Sequence, residues 1–203
     1  MAPDLNLEIP AVTADWAVCV KPVGMECERE LPAALSARIG GTLFPVHRLD
    51  LNVGGLVVFA RTRSAAAELS RQIQDGRFRK EYTAMVHGLP PASGRLEDLL
   101  WKDTRQKKVF VVSRMRMGVR PAALTYEVLR ADAEAACSVI RVRLETGRTH
   151  QIRVQFASRG YPLVGDHKYG ARDAESAPRL FSSCLRFFWQ GEEQCFSRMP
   201  DWA

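Results

Sequence analysis

The sequence predicts an α+β fold: a large mixed, mostly antiparallel sheet in two lobes, flanked by helices, with an active-site cleft. Three observations lead to this prediction. The predicted strands come in runs instead of alternating strictly with helices, which argues against a parallel α/β sheet. Few segments show helical periodicity. The chain has 203 residues, of which 46% are hydrophobic and 26% charged, an ordinary composition for a globular protein.

The chain begins with a predicted strand and a short predicted helix. Residues 15–21 form an apolar run that ends at Pro22, which cannot continue a hydrogen-bonded ladder. A helix is expected over Leu31–Ile39, because apolar residues recur every four positions and Gly40 follows.

The stretch from His47 to Ala60 is central to the prediction. The run Leu56–Ala60, which follows two glycines, is typical of a buried strand. Asn52 and the pair Gly54-Gly55 predict a turn before this strand, with positive φ at glycine. Asp50 would then lie on a loop that is fixed against the core, where functional side chains are commonly found.

Two further helices and six further strands are expected. Ser64 is placed to cap a helix that ends at Gly76. Thr149 is placed to cap a helix that reaches Arg159 before Gly160. The remaining predicted strands show short or alternating apolar runs and lie at residues 80–88, 109–112, 122–129, 138–144, 183–189 and 194–199.

Composition argues against several classes of protein. No apolar run approaches the roughly 20 residues of a membrane helix, and residues 1–10 carry no basic residue, which argues against a secretory signal. The five cysteines are odd in number and have no C-x-x-C spacing, which argues against a disulfide framework or a zinc knuckle. We therefore expect a cytoplasmic protein without membrane contact.

The excess positive charge is concentrated in one segment. The chain has 29 Lys plus Arg and 23 Asp plus Glu, a net charge of +6. The segment Lys102–Arg120 alone contains seven basic residues and one acidic residue, so its net charge of +6 equals that of the whole chain. Such a cluster is either a solvated hairpin or an arm that contacts phosphates and gains affinity by releasing counterions from nucleic acid.

Common cofactor motifs are absent, whereas two polar clusters are conspicuous. There is no G-x-x-x-x-G-K-[ST] loop, no strand-associated G-x-G-x-x-G and no H-E-x-x-H, and the four histidines lack metal-ligand spacing. The first cluster is His47-Arg48-Leu49-Asp50. The second, at a strand-to-helix junction whose N–H groups favour anions, is Gly147-Arg148-Thr149-His150-Gln151-Ile152-Arg153.

Together with Lys80-x-Tyr82-x-Ala84-x-Val86-x-Gly88, these clusters occur in an order that resembles the RluA-type pseudouridine synthase family. The resemblance extends from Val18-x-Val20-Lys21-Pro22-x-Gly24 to the strands before Pro200 and includes Gly165-Asp166-x-x-Tyr169-Gly170. It implies the pseudouridine synthase fold, with residues 1–14 as an N-terminal extension and residues 15–203 as the catalytic domain.

The resemblance implies that specific uridines in structured RNA, ribosomal or transfer RNA, are isomerised to pseudouridine. Asp50 aligns with the family's catalytic aspartate, which either attacks the anomeric carbon or abstracts a ribose proton after the base is flipped out. Arg153 matches the arginine that pairs with this aspartate. Tyr82 matches the tyrosine that packs on the uracil and is a candidate base at carbon 5. No metal or organic cofactor is implied, because the reaction involves no redox change.

RNA is the expected partner, and we expect a monomer. Arg48 matches the arginine that fills the stack where the target base leaves, a role suited to a planar guanidinium. The chain begins almost at the catalytic region, so we expect no separate N-terminal RNA-binding domain and assign RNA affinity to the basic segment. The expected RNA-binding residues are Arg48, His47, Lys107, Lys108, Arg114, Arg116, Arg148 and His150.

One departure from the family leaves alternatives open. Where members show a Thr-Ser-Gly turn after the aspartate, this chain has Val53-Gly54-Gly55. Because two hydroxyls are lost, a non-catalytic RNA-binding protein on the same fold is a second hypothesis. A metal-dependent hydrolase that uses His47, Asp50 and His150 is a third.

Overall fold

The computed structural model describes residues 7–203. Within this range the chain forms eleven strands, three α-helices and a single 3-10 turn at His167–Tyr169. In chain order the elements are β1 Ala11–Val12, β2 Trp16–Lys21, α1 Glu30–Ile39, β3 Phe44–Pro45, β4 Gly54–Ala60, α2 Arg63–Gln74, β5 Arg79–His87, β6 Ser93–Asp103, β7 Lys108–Val112, β8 Val119–Asp132, β9 Cys137–Leu144, α3 Gln151–Ala157, β10 Leu180–Trp189 and β11 Glu192–Ser197. The predicted α+β class with mostly antiparallel strand pairing is confirmed.

The chain divides into two compact units. The terminal unit contains the residues up to Lys80 together with Phe181–Pro200. The central unit contains Glu81–Leu180 together with Asp201–Ala203.

The terminal unit is built on a mixed sheet with the strand order β1-β2-β4-β10, on which β3 pairs with β4 and β11 with β10. Only the β4–β10 pair is parallel among the strand pairs described in this unit. Helix α2 covers the sheet, and Leu69 packs with Trp16, Phe78 and Phe187 in the core. The rings of Phe78 and Phe187 are stacked with centroids 5.7 Å apart.

The central unit is an antiparallel sheet with the strand order β5-β9-β8-β6-β7. Helix α3 lies against β6 and β7, because Val154 packs with Leu100 and Val109 in a second core cluster. Tyr169 also belongs to this cluster. The second polar motif of the sequence is thereby placed beside the basic segment, which forms β7 and its flanking turns.

Two predicted helix caps are wrong. Helix α2 is capped by Thr62, whose hydroxyl accepts the N–H of Ala65 at 3.1 Å, and not by Ser64. Thr149 does not begin α3, because the chain passes through a left-handed conformation at His150 with φ 51° and the helix starts one residue later. Gly76 after α2 has the predicted positive φ, 77°.

Strand β6 is the largest element that the sequence did not predict. It has 11 residues, but its apolar positions do not alternate and it begins directly after a Pro-rich loop. Leu96 and Leu100 face the core, whereas the charged residues between them lie on more exposed positions. Pairing with two neighbouring strands, β7 and β8, compensates for this weak local pattern.

The glycine pair of the central stretch does not form the turn, contrary to prediction. The turn lies before the glycines, at residues 51–52, and is closed by the Val53 N–H, which donates to the carbonyl of Asp50 at 3.0 Å. Both glycines are buried inside β4. Gly55, with φ 120°, lies opposite Ser182 of β10, and a Cβ at this position would come within 2.5 Å of the Ser182 carbonyl oxygen. Glycine is needed here for the close approach of β10.

Replacement of Gly55 by alanine should lower the free energy of unfolding by about 2–3 kcal/mol, because both a strained φ and a backbone clash are introduced. Gly76→Ala is the matched control: its φ is also positive, at 77°, but no atom lies within 4 Å of the added methyl group. Urea unfolding of both variants measures the difference. Equal losses at the two positions would contradict the close-approach explanation.

Residues 7–14 are packed into the terminal unit. Leu7 is buried, and the carbonyl of Glu8 accepts the N–H of Val20 at 2.9 Å. Strand β1 pairs with β2. Residues 1–6 of the expected N-terminal extension lie outside the described range, and the division of the chain at residue 14 stays a prediction. None of the helices in residues 7–203 is long and apolar enough to cross a membrane.

Candidate active site

Asp50 lies on a short loop of the terminal unit that precedes β4. The loop is fixed by Lys21, the last residue of β2, whose side chain is 0% exposed. The ammonium donates to three carbonyl oxygens, those of Pro22, Met25 and Leu51, at 2.9, 2.8 and 3.0 Å. These bonds use all three ammonium protons. A buried charge needs such a complete set of hydrogen bonds to offset the loss of solvent.

Further bonds hold the same loop on both sides of Asp50. The Leu51 carbonyl also accepts the N–H of Gly24 at 2.9 Å. The Leu49 N–H donates to the Sγ of Cys27 at 3.4 Å. Together with the Val53 N–H bond to the Asp50 carbonyl, these contacts leave the backbone at Asp50 little freedom to move.

Lys21 had no functional role assigned from the sequence. Burial holds its pKa below the ordinary value, and the charges of Cys27 and Asp50 act in the opposite direction. The ammonium therefore belongs to the electrostatic environment of Asp50. The available signal was a lysine that ends an apolar strand directly before Pro22, since a buried lysine needs several acceptors nearby.

Arg48 lies on the surface of the terminal unit. Its Nη1 donates to Oε2 of Glu28 at 2.8 Å, and the two side chains are 58% and 47% exposed. An exposed ion pair of this kind contributes about 0–1 kcal/mol. The guanidinium can therefore leave Glu28 at little cost.

The imidazole of His47 is turned toward the core of the terminal unit. Its Nε2 accepts the N–H of Val58 at 3.2 Å, and its ring lies 5.3 Å from that of Phe78. Its Nδ1 is shielded from solvent and has no hydrogen-bond partner within residues 7–203. These contacts hold the imidazole within the terminal unit, and a role for His47 in RNA binding stays a prediction.

Acid should destabilise the protein through His47. The pKa of His47 lies well below its ordinary value of 6.5, mainly because of burial and to a lesser degree because of the charge of Lys80. Below about pH 6.5 the unfolded chain binds a proton at His47 that the folded protein does not bind. The contribution of neutral His47 to the free energy of unfolding is therefore fully present above about pH 6.5. It falls by up to about 1.4 kcal/mol per pH unit as the pH decreases below that value.

This pH dependence is measured by urea unfolding of the natural protein and of His47→Gln from about pH 7.5 to about pH 5. The stability difference between the two proteins should shrink as the pH falls. Other titrating groups are present in both proteins and cancel in the difference. A difference that stays constant over this range would contradict a neutral His47 in the folded protein.

Tyr82 and the remaining predicted site residues belong to the central unit. Tyr82 lies on β5 opposite Val142 of β9 and is 6% exposed. Alternate residues of a strand share one face, so Tyr82 and Ala84 point to the same side of the sheet, as the sequence pattern predicted.

Arg153 lies on α3 and is almost completely buried. Its Nε and Nη2 donate to the two carboxylate oxygens of Asp166 at 2.7 and 2.8 Å. Its guanidinium lies over the ring of Tyr169, 5.1 Å from the centroid. Neither partner had a role assigned from the sequence, although both belong to the quoted motif at residues 165–170.

Tyr169 connects several predicted residues. Its hydroxyl accepts the N–H of Val109 at 2.9 Å and forms a hydrogen bond with Nδ1 of His150 at 2.8 Å. The Lys108 ammonium lies 5.3 Å from the Tyr169 ring centroid. Lys108, His150 and Arg153 thus meet around one tyrosine.

The loop before α3 is tied to β8. The Nε of Arg148 donates to the carbonyl of Pro121 at 3.0 Å, while its guanidinium remains exposed. The buried side chain of Gln151 accepts the Arg148 N–H at 3.0 Å and donates to the carbonyl of Ala123 at 3.0 Å. These bonds, instead of a hydroxyl cap, define the start of the helix.

The basic arm, defined as Lys102–Arg120, presents most of its charge to solvent. Lys108 is half-buried and the other six basic residues are exposed. The acid of this segment, Asp103, accepts the N–H groups of Arg105 and Gln106. Within residues 7–203 none of the seven cations forms an ion pair with a carboxylate. By contrast, three arginines on neighbouring strands are paired with glutamates: Arg95, Arg141 and Arg143.

Aromatic rings lie beside the cations of the basic arm. Trp101 and Phe110 are opposite each other on β6 and β7, with ring centroids 6.2 Å apart. The Arg116 guanidinium lies 4.9 Å from the Trp101 ring, and the Lys108 ammonium lies 5.7 Å from the Phe110 ring. Basic groups interleaved with aromatic rings are typical of surfaces that bind nucleic acid.

The part of the chain that the structure describes contains no group of three or more His, Cys, Asp or Glu side chains arranged to hold a metal ion. The hydrolase hypothesis therefore has no candidate ligand set in that part. All five cysteines are free thiols.

Comparison with known proteins relates the chain to enzymes of RNA modification. A family model described as RNA pseudouridylate synthase matches residues 15–158, well over half of the chain. An uncharacterized RNA pseudouridine synthase of Chloroflexus aurantiacus is 45% identical over 140 residues, covering 66% of this chain and 42% of the relative. The dual-specificity RNA pseudouridine synthase RluA of Escherichia coli is 36% identical over 140 residues, covering 66% of this chain and 61% of the relative.

Solved structures show the same fold. Human RNA pseudouridylate synthase domain containing 1 superposes with a TM-score of 0.84 at 25% identity, covering 97% of this chain and 84% of that one. Human RNA pseudouridylate synthase domain containing 4 gives a TM-score of 0.80 at 21% identity. The chain spans about half the length of the relatives it matches in sequence. Both the family match and the identities show that the chain belongs to the RluA-type family of RNA pseudouridine synthases.

Proposed function

We propose that this protein isomerises specific uridines in structured RNA, ribosomal or transfer RNA, to pseudouridine, with Asp50 as the catalytic carboxylate. The observation that carries the proposal is the fixation of the Asp50 loop by the buried Lys21 ammonium. A catalytic group must be held close to its productive position, because small displacements cost large factors in rate. The buried ammonium of Lys21 supplies this support to the loop that carries Asp50.

In the proposed reaction the glycosidic bond between N1 and the anomeric carbon breaks, the uracil rotates, and carbon 5 bonds to the anomeric carbon. Carbon 5 loses a proton and N1 gains one, so the product is an isomer of the substrate. Asp50 either attacks the anomeric carbon or removes a ribose proton. We assign Tyr82 to packing on the uracil and to proton removal from carbon 5, and Arg153 to the carboxylate of Asp50, as the family resemblance implies.

Arg48 is proposed to fill the stack that the target base leaves. Flipping a base costs a few kcal/mol, whereas an exposed ion pair such as that with Glu28 contributes about 0–1 kcal/mol. The guanidinium can therefore exchange Glu28 for the RNA, where stacking offsets part of the cost of flipping.

The basic arm is proposed to bind the RNA backbone. Its exposed cations have no carboxylate partners in residues 7–203, so no ion pair must be broken when phosphates approach. We assign phosphate contacts to Lys107, Lys108, Arg114 and Arg116. Arg148 and His150, beside the arm, are assigned to the same RNA.

Neutralising the four assigned residues of the arm to glutamine should weaken RNA binding and flatten its salt dependence. Each lost phosphate contact should reduce the slope of log K against log salt by about 0.7–0.9. Binding titrations at several salt concentrations measure this slope. Neutralising three paired arginines, Arg95, Arg141 and Arg143, is the control and should leave the slope nearly unchanged. An unchanged slope in the arm variant would mean that the arm is only a solvated surface.

A non-catalytic RNA-binding protein remains the alternative because of Val53-Gly54-Gly55. The packing around these residues supports catalysis instead. Val53 is 2% exposed, and both glycines lie within β4. The loop is held by Lys21, Gly24 and Cys27, so the hydroxyls that the chain lacks are not needed to hold it.

The test uses RNA carrying tritium at carbon 5 of uridine, transcribed as ribosomal or transfer RNA without modifications. The proposed isomerisation replaces the carbon 5 hydrogen, so the purified protein should release tritium to water and yield pseudouridine in the digested RNA. Tight binding without tritium release from either class of RNA would favour the alternative. If the protein neither binds these RNAs nor releases tritium, both hypotheses are overturned.

A further inference from the structure

Asp166 is a buried carboxylate with no role in the reaction assigned above. It is 1% exposed, and its two oxygens accept from Nε and Nη2 of Arg153, which is itself 7% exposed. Two parallel bonds between a planar guanidinium and a carboxylate fix the orientation of one group relative to the other. A single bond, or a charge at a distance, would leave the guanidinium free to rotate.

The backbone of Asp166 is itself held at three points. Its N–H donates to the carbonyl of Leu163 at 3.0 Å. Its carbonyl accepts the N–H groups of Tyr169 and Ala171 at 2.9 and 3.1 Å. The carboxylate therefore projects from a segment that is anchored locally and that includes the 3-10 turn His167–Tyr169.

Tyr169 restrains the same guanidinium from a second direction. Its ring lies beneath Arg153, and its hydroxyl is fixed between the Val109 N–H and His150. Asp166 thus sets the rotation of the guanidinium in its plane, and Tyr169 sets the plane itself. The Nη1 end of Arg153 is directed away from Asp166.

We infer that Asp166 is a positioning residue for pseudouridine formation, which orients the Arg153 guanidinium so that its Nη1 end serves the reaction. This inference rests on the proposed function and on the assigned role of Arg153. A buried ion pair often contributes little to stability compared with apolar residues of similar volume. Positioning of a catalytic arginine explains why a pair is placed here.

The experiment measures single-turnover pseudouridine formation by Asp166→Asn, per mole of folded enzyme, with RNA affinity and thermal unfolding measured in parallel. Asparagine keeps the shape but can accept only at one of the two positions. We expect a rate at least about 30-fold lower and an RNA Kd within about 3-fold of the natural value. Asp98→Asn is the matched control, since Asp98 accepts from Arg159 and Gln155 of the same helical region at 2.8 and 2.7 Å but does not contact Arg153.

Specific positioning requires that the effect passes through Arg153. In an Arg153→Gln background, Asp166→Asn should therefore cause no further loss of rate. The inference would be overturned if the rate losses of Asp166→Asn and Arg153→Gln multiply in the double variant. It would also be overturned if Asp98→Asn loses as much rate as Asp166→Asn, or if folded Asp166→Asn reacts at the natural rate. If Asp166→Asn does not fold, Asp166→Glu decides: it keeps the charge but displaces the carboxylate, and a natural rate in this variant would also overturn the inference. The natural protein is assayed on the same RNA, so failure of the proposed function appears separately as absence of product.

Discussion

Asp50→Asn is expected to abolish pseudouridine formation, lowering the rate by more than about 10³-fold, because an amide neither attacks the anomeric carbon nor accepts a ribose proton. The substitution preserves the size of the side chain. The loop is held by backbone hydrogen bonds and by Lys21, which the substitution leaves in place, so the fold should persist. RNA affinity should change by no more than about 3-fold, since phosphate contacts dominate it. Tritium release and a binding titration measure the two quantities.

Asp15→Asn provides the control for loss of one negative charge in the terminal unit. It should leave both rate and affinity unchanged. Substantial isomerisation by Asp50→Asn would remove the assignment of the catalytic carboxylate. A parallel loss of RNA binding would instead indicate that Asp50 acts in binding.

Lys21→Met is expected to lower the free energy of unfolding by about 2–5 kcal/mol, because buried carbonyls lose a charged donor and regain no solvent. The Leu51 carbonyl keeps its bond from Gly24, whereas those of Pro22 and Met25 lose the ammonium. The loop at Asp50 should shift, and we expect the turnover rate to fall by about 10-fold in the protein that remains folded. Urea unfolding and single-turnover kinetics test the two effects.

Lys102→Met, on the exposed side of the basic arm, is the comparison for this substitution. Its stability should stay within about 0.5 kcal/mol of the natural protein. If Lys21→Met is as stable as Lys102→Met, the ammonium does not hold the loop.

Runs and periods of apolar residues predicted most of the fold. They located β2, β5 and β9 within one or two residues, because their buried faces leave a direct pattern in the sequence. Strand β6 was missed because its local pattern is weak and pairing with its neighbours forms it. The positive φ predicted at glycine is found at Gly55, but the predicted turn there is wrong for the same reason as β6: the atom that excludes a side chain belongs to Ser182, far away in the chain.

The residues of the candidate site divide in the same way. The sequence motifs pointed to Asp50, Tyr82 and Arg153 as residues with a role in chemistry, and these roles stay predictions. Their supporting partners, Lys21 and Asp166, are recognised only from contacts in three dimensions. A buried lysine and a bidentate carboxylate leave no periodic signal, because what they satisfy is the geometry of distant groups.

We propose that this protein makes pseudouridine in cellular RNA. The most direct measurement maps pseudouridines in RNA from cells with and without the protein, and from cells that carry only Asp50→Asn. We predict that particular sites are lost without the protein, return with the natural protein and stay absent with Asp50→Asn. Identical maps in all of these cells would contradict the claim.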